Sequence, residues 1–366
     1  MPFFVHVLAL AVFAQGTSEF MLSGLVPGIA HDLSVPVGAA ASLTSAYAIG
    51  MIVGAPVMAA LSARWPRRRA LAGFLGAFVV VHVVGAITTD FAVLFATRVV
   101  AAIVNAGFLA VAMSVATALV APTRQARATA VLVSGVTLSC VAGVPAGALL
   151  GEVHGWRSAF WAVAVLCLPA LALVFRSAPI GAACEGEVSI RQEARALRSR
   201  DVRRAMLLAA LVNGATFATF AYLAVIATDV AGLPGRAVPG LLAAFGAGSF
   251  IGVALAPRLR GLVTVMCVLA AGWAVLAVAS AEVVPLFVLA VVQGGLSFGI
   301  GTALIGRVMR AAADAPTMNG SFATVALNAG AFLGPLLAGL ASETFGDPRS
   351  AVWVSAVLAV AAVVIP

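Results

Sequence analysis

The chain has 366 residues, of which 63% are hydrophobic and only 9% charged, and it carries a net charge of +8. A soluble domain has about 45–50% apolar and about 25% charged residues, so this composition excludes an ordinary soluble fold and fits a protein whose apolar surface faces a bilayer. All the positive charge is arginine, and apart from Arg98 it sits in segments between apolar runs or at their ends, which argues against a nucleic-acid-binding surface.

Crossing a bilayer takes about 20 apolar residues as a helix. Runs of that kind fall at 4–26, 38–61, 70–89, 91–117, 128–150, 157–176, 204–228, 237–257, 261–280, 283–305, 318–341 and 350–366. The spacing predicts an all-α membrane protein of twelve spans. They form two six-helix halves, residues 1–177 and 204–366, joined by a linker over 178–203. The first run continues past Glu19 and lacks a basic leader, so it reads as a span and not as a cleavable signal.

Taken in chain order, most spans hold no ionisable residue, and the exceptions are informative. The first contains Glu19, in Gly16-Thr-Ser-Glu19-Phe-Met-Leu-Ser-Gly24, and also His6. The second contains Tyr47. Arg64, Arg67, Arg68 and Arg69 crowd the segment after it. The third span holds His82, and the fourth holds Arg98 and Asn105. The fifth is dense in helix-disrupting residues: Gly135, Gly143, Pro145, Gly147 and Gly151. In a membrane these permit close helix approach and a kink, so Gly143, Pro145 and Gly147 are expected to form a hinge or a tight contact between the two halves. The linker stretch 189–204 mixes arginine with Glu193 and Asp201 and is expected to form a short surface helix or a solvated connection. Asn213 and Phe217 lie in the seventh span, Gln293 in the tenth and Asn328 in the eleventh.

The eleventh span repeats the fifth, with Gly330, Gly334, Pro335 and Gly339. Arg-Ser-Ala-x-Trp follows each, at Arg157–Trp161 and Arg349–Trp353, an offset of 192 residues. The same offset maps Arg68 onto Arg260 and Gly107 onto Gly299. One internal repeat of this kind is the signature of a transporter built from two similar halves around a central site, here related by a two-fold axis along the membrane normal.

Loop charge is strongly asymmetric. Alternate loops carry the arginines at 64, 67–69, 124, 127, 258, 260, 307 and 310, and the linker adds more. The other loops carry only Arg157, Arg236 and Arg349, with the acids Asp32, Asp90, Glu152, Asp229, Glu282, Glu343 and Asp347. Arginine-rich loops stay in the cytoplasm, so both termini and the linker are expected there, with the chain in a bacterial inner membrane.

A charge in hydrocarbon costs several kcal/mol unless it is paired or hydrated. Glu19 and Arg98 each lie about seven residues from the same end of their spans, roughly 10 Å deep at 1.5 Å per residue, so the two can meet. Burial favours a protonated acid and a nearby cation favours its carboxylate. A carboxyl whose water access or arginine distance changes can therefore take up and release a proton. Glu19 is the expected proton carrier and Arg98 its partner; a static ion pair is the structural alternative. Tyr47, Asn105, Asn213, Phe217 and Gln293 are candidates for lining a substrate cavity. Helix–helix hydrogen bonding serves each polar one equally well. A relay role for His82 or His6 ranks below a packed, hydrogen-bonded one. The cysteines at 140, 167, 184 and 267 are scattered, with no CxxC or histidine cluster to suggest a metal site.

These motifs resemble the major facilitator superfamily, in its drug:proton antiporter branch. The stretch Leu61-Ser-Ala-Arg64-Trp-Pro-Arg67-Arg68-Arg69-Ala-Leu71 is similar to that family's cytoplasmic loop motif, with Ala63 in place of an aspartate and Pro66 in place of a glycine. Arg98, in Leu94-Phe-Ala-Thr-Arg98, matches the family's intramembrane arginine. Gly143-Val-Pro145-Ala-Gly147 resembles the exporters' fifth-helix motif. The segments around Glu19, Tyr47 and Trp156 resemble chloramphenicol-resistance exporters of actinomycetes, and arabinose-efflux-type permeases share much of their wording. The resemblance implies export of a small amphipathic drug by alternating access. Its partners would be drug, protons and the lipid bilayer. A proton gradient would replace any cofactor, and the chain would act as a monomer. A sugar or metabolite exporter and a proton-independent facilitator are the alternatives. A membrane enzyme would need a constellation such as HExxH or GxSxG, and none is present.

Overall fold

A computed structural model describes residues 2–62, 65–177, 194–315 and 319–365. Ala63, Arg64, Cys184 and most of the linker lie outside the described residues. Eleven helices among those described are long and apolar enough to cross a membrane. They are Phe3–Gly24, Val37–Met58, Arg67–Ile87, Phe91–Ala118, Ser134–His154, Arg157–Arg176, Arg200–Val230, Gly235–Arg258, Leu262–Ala279, Val283–Ala311 and Gly320–Phe345. A twelfth apolar helix, Ser350–Val364, is shorter. The all-helical architecture is the one the sequence predicts.

Several boundaries differ by a few residues; the tenth span, for example, runs on to Ala311 and the eleventh to Phe345. The seventh span begins at Arg200, four residues early, because Arg200, Asp201, Arg203 and Arg204 extend the helix beyond its apolar run. The surface helix expected over 189–204 falls partly outside the described residues; inside them the chain makes a 3-10 turn over Ala194–Arg198.

Helix pairing repeats. Among the first six spans the first packs on the fourth, fifth and sixth, the second on the fourth, and the third on the fourth and sixth. Among the last six, the seventh packs on the tenth, eleventh and twelfth, the eighth on the tenth, and the ninth on the tenth and twelfth. Each pair in one set has its counterpart six helices on. The two sets meet chiefly where the second span packs on the eleventh and the fifth on the eighth.

Glycine makes the seams close, and the seam at Gly143 and Gly147 lies within the first helix set, against the first span, where a contact between the halves was expected. A Cβ on Gly143 would collide with Thr17 of the first span, and one on Gly147 would press on Met21 at 3.1 Å. The equivalent seam of the other set puts Gly330 and Gly334 against the backbone of Ala210 and Gly214. The fifth span widens into a π-turn at Ser139–Gly143, directly before Pro145. Proline has no N–H to donate and its ring crowds the carbonyl one turn back, so a wider turn relieves the clash. The irregularity expected of this span is present at that point.

The spans alternate in direction, so the loops gather at two ends. Arg67, Arg68, Arg69, Arg124, Arg127, Arg258, Arg260, Arg307 and Arg310 mark an arginine-rich face. Asp32, Asp90, Glu152, Glu282, Glu343 and Asp347 mark an acidic face. The identified contacts between the two sets lie in the acidic-face half or at mid-depth. The Phe20 and Phe217 rings pack tilted, 5.8 Å between centres, and Ser45 donates to the Phe332 carbonyl at 2.7 Å. Gly38 packs on Glu343, Gly24 on Leu242, and Gly246 on the backbone of Cys140.

Candidate functional site

Glu19 is the one carboxylate of the described residues that lies more than a turn from both ends of its span. It keeps partial exposure, while Ser18 beside it is fully buried. Arg98 of the fourth span, Tyr47 of the second and Cys140 of the fifth are all within its electrostatic reach. Buried groups from three other helices therefore surround Glu19.

Arg98 is 1% exposed. It makes no ion pair with Glu19; among the described residues the ion pairs are Arg157–Asp32 and Arg349–Asp347. Its Nη1 donates to the Ser18 hydroxyl at 2.8 Å and its Nη2 to the Ser18 carbonyl at 2.6 Å. The guanidinium lies over the Tyr47 ring, 4.7 Å from its centre, and 5.7 Å from that of Phe160. The expected meeting of Glu19 and Arg98 is therefore a neighbourhood and not a contact.

His82 joins this cluster. Its Nε2 lies 2.6 Å from the Ser18 hydroxyl and its Nδ1 lies 2.7 Å from the Phe78 carbonyl. A carbonyl only accepts, so Nδ1 carries the hydrogen and Nε2 of the neutral ring accepts from Ser18. The chain of donors then runs from Arg98 to Ser18 to His82 to Phe78, with each hydrogen used once.

The cavity candidates divide. Asn105 donates to the Tyr47 hydroxyl at 2.9 Å, and both are buried, Tyr47 beneath Arg98; the Asn105 side-chain oxygen Oδ1 has no protein partner. Phe217 packs on Phe20 across the two sets and continues through Phe220, at 5.9 Å, to Phe245, 4.9 Å further on. An aromatic wall thus stands next to Glu19. Asn213 donates to the Leu327 carbonyl at 2.7 Å, tying the seventh span to the eleventh. Gln293 donates to the Leu269 carbonyl at 3.0 Å and packs on Gly272, so it binds the ninth span and is not brought to Glu19.

Sequence reasoning missed Ser18 and Gln15. Gln15 sits one turn before Glu19, is 1% exposed, and has no protein hydrogen-bond partner at either end of its carboxamide. Its spacing from Glu19 was the available signal. At the arginine-rich face Arg67, Arg68 and Arg69 open the third span, and Trp65 stacks on Phe74 at 5.6 Å; Arg64 lies outside the described residues.

The fold and this interior cluster define a membrane transporter. The sequence profile of the Major Facilitator Superfamily matches residues 8–263, and the chain belongs to that family. It is 52% identical to the chloramphenicol resistance protein of Streptomyces lividans, covering all of this chain and 95% of that one. It is 32% identical to the inner membrane transport protein YdhP of Escherichia coli (strain K12), over 91% of this chain and 87% of that protein. Among solved structures, a bacterial homologue of the human lysosomal transporter Spinster, in an inward-facing and occupied conformation, superposes with a TM-score of 0.73 at 18% identity, covering 98% and 95% of the two chains. At that identity the likeness concerns the fold alone. Membership in a transporter family also sets aside the membrane-enzyme alternative.

Proposed function

We propose that this chain exports chloramphenicol, or a drug of closely similar chemistry, across the bacterial inner membrane in exchange for protons. The observation that carries the reading is the position of Glu19: a lone interior carboxyl, partly exposed, beside the Phe20–Phe217 pair and within electrostatic reach of Arg98. An aromatic wall suits the nitrophenyl ring of such a drug. The full-length similarity to the Streptomyces lividans protein supports the same substrate. A sugar would need several free hydrogen-bonding groups. Tyr47, Asn105, Asn213 and Gln293 each already spend a hydrogen-bonding group within the protein, and among the buried polar atoms of these residues and Gln15 only the Gln15 carboxamide and the Asn105 and Gln293 side-chain oxygens lack a partner, which weighs against the metabolite reading.

Residues 1–177 and 204–366 act as two rigid halves joined by the 178–203 linker. The arginine-rich face is cytoplasmic, with both termini. The identified contacts between the helix sets then lie toward the outer side or at mid-depth. Glu19 exchanges the proton, and Gly143, Pro145 and Gly147 serve as the hinge between the first and fifth spans.

The test is transport in proteoliposomes with and without an imposed pH gradient, together with tolerance of a drug-sensitive host. Chloramphenicol is expected to be moved against its gradient, and Glu19→Gln to abolish the coupling. Unchanged tolerance in a strain shown to insert the protein would remove chloramphenicol. Tolerance that persists after the proton gradient is collapsed would remove antiport.

A further inference from the structure

Resting on that reading of Glu19, we propose that Ser18 and His82 are positioning residues of the coupling site: together they hold the Arg98 guanidinium off Glu19 and so set the pH at which Glu19 gives up its proton.

A buried guanidinium ordinarily takes a carboxylate. Arg98 has one in its neighbourhood yet binds two oxygens of the preceding residue. Ser18 can offer both for separate reasons. The last α-helical bond of the first span runs from the Met21 amide to the Thr17 carbonyl, and a 3-10 turn follows over Met21–Gly24. The Ser18 carbonyl is thereby left without its intrahelical partner and is free to accept from Arg98. The Ser18 hydroxyl is oriented by His82: its hydrogen goes to Nε2, so its lone pairs remain for Arg98 Nη1. His82 cannot turn away, because Nδ1 is held by the Phe78 carbonyl and the ring is flanked by Phe78 at 4.1 Å and Phe160 at 5.9 Å.

The titratable groups that face this cluster are Glu19 from the first span, Tyr47 from the second, His82 from the third, Arg98 from the fourth, Cys140 from the fifth and Cys167 from the sixth. Glu19 is the acid among them that can answer a freed guanidinium. Remove the Ser18 hydroxyl, or the ring that orients it, and Arg98 loses a fixed partner and can turn to the next residue. A cation brought to a carboxyl favours its ionised form. Glu19 would then hold its proton less firmly.

The experiment measures the pH dependence of chloramphenicol-driven proton movement in proteoliposomes, with thermal unfolding recorded for each variant. Ser18→Ala and His82→Leu are expected to move the transport midpoint to lower pH by about one unit, a tenfold change in proton affinity. Ser18→Thr restores a hydroxyl and His82→Gln restores an acceptor near Nε2, and both should bring the profile back. A midpoint unmoved in folded, transporting Ser18→Ala overturns the proposal, and the Ala/Thr pair decides it if His82→Leu does not fold. Glu19→Gln separates this from the reading beneath it. If that variant keeps the wild-type pH profile, Glu19 is not the carrier and the positioning role falls with it. If Glu19→Gln abolishes the pH dependence while the Ser18 and His82 variants match wild type, only the positioning role falls.

Discussion

The guanidinium of Arg98 grips the carbonyl oxygen of Ser18 at 2.6 Å, one residue short of Glu19. The contact joins the fourth span to the point where the first span changes from α-helix to 3-10 turn. Movement of the first span therefore reaches Arg98 directly, and movement of Arg98 reaches the residue next to the acid.

Two parallel N–H donors serve two oxygens here, and a lysine cannot reproduce that fork. Arg98→Lys should leave the protein folded and inserted while lowering the transport rate about tenfold or more. A hydrogen bond to a charged group is worth about 1.5–3 kcal/mol, and one of two is lost. Initial rates of drug uptake into inverted vesicles, normalised to inserted protein, give the answer. A wild-type rate would show that charge alone suffices.

Gln15 breaks the rule that buried polar groups are partnered. An unpartnered buried amide costs about 1–3 kcal/mol. Gln15→Met, of similar volume and without polar atoms at the tip, should raise the thermal midpoint by a few degrees. The same change should weaken chloramphenicol transport if the carboxamide bonds substrate on the Glu19 side of the helix. Thermal unfolding and the transport KM are measured together. A variant neither more stable nor altered in KM would show that Gln15 is satisfied by other means.

Gly246 of the eighth span lies against the backbone carbonyl of Cys140 in the fifth, so a side chain there cannot be accommodated by rotamer change. Gly246→Leu should hold the two helix sets apart and abolish transport. Cys140 is 6% exposed. In a chain with its other cysteines replaced, Cys140 should become reactive to a membrane-permeant maleimide when Gly246 is enlarged. Protection equal to that of the parent would refute this role for the fifth–eighth contact.

At the acidic face Asp32 accepts from Arg157 and, at 3.0 Å, from the Trp156 indole. Arg157 also donates to the Thr88 carbonyl at 3.1 Å, so the clasp joins the short helix Val26–Asp32 that follows the first span to the end of the third span and the start of the sixth. The Arg157 hydrogen bond, then that of Trp156, holds the Asp32 carboxyl below its usual range. A depressed folded value contributes stability that is complete above the unfolded value of about 3.9 and is lost as pH falls through the lowered one. Detergent-solubilised protein should therefore lose thermal stability below about pH 4, modestly, because both side chains are substantially exposed. Asp32→Asn should flatten that part of the profile, and an unchanged acid limb would place the loss elsewhere.

The fold was legible because its determinants are local. A run such as Phe91–Ala118 declares a span by length and apolarity, whatever packs on it. The π-turn ahead of Pro145 follows from one missing N–H. The repeated Arg-Ser-Ala-x-Trp was legible as a repeat but not as two different contacts. Arg157 reaches across to Asp32, while Arg349 turns back on Asp347, two residues away. Which acid lies near depends on the path of a loop, and no spacing encodes that path.

The candidate site was legible only as residue types at a depth. Glu19 and Arg98 stand out by themselves, since a charge inside an apolar run is costly wherever the helix goes. Polar residues carry no such sign of direction: Asn105 turns toward Tyr47 beside Arg98, whereas Gln293 turns toward the ninth span.

The sequence by itself determined the number and order of the spans, their alternating direction, the twofold repetition and the presence of one acid and one arginine in the interior. Hydropathy, charge and proline act over a few residues and need no partner. The tertiary structure alone decided what Arg98 holds. That choice depends on Ser18, His82, Tyr47 and Phe160 arriving from four other helices, and on a carbonyl freed where the first helix tightens. Contacts accurate to a few tenths of an ångström are set by how helices pack, and helix packing is a property of the whole bundle.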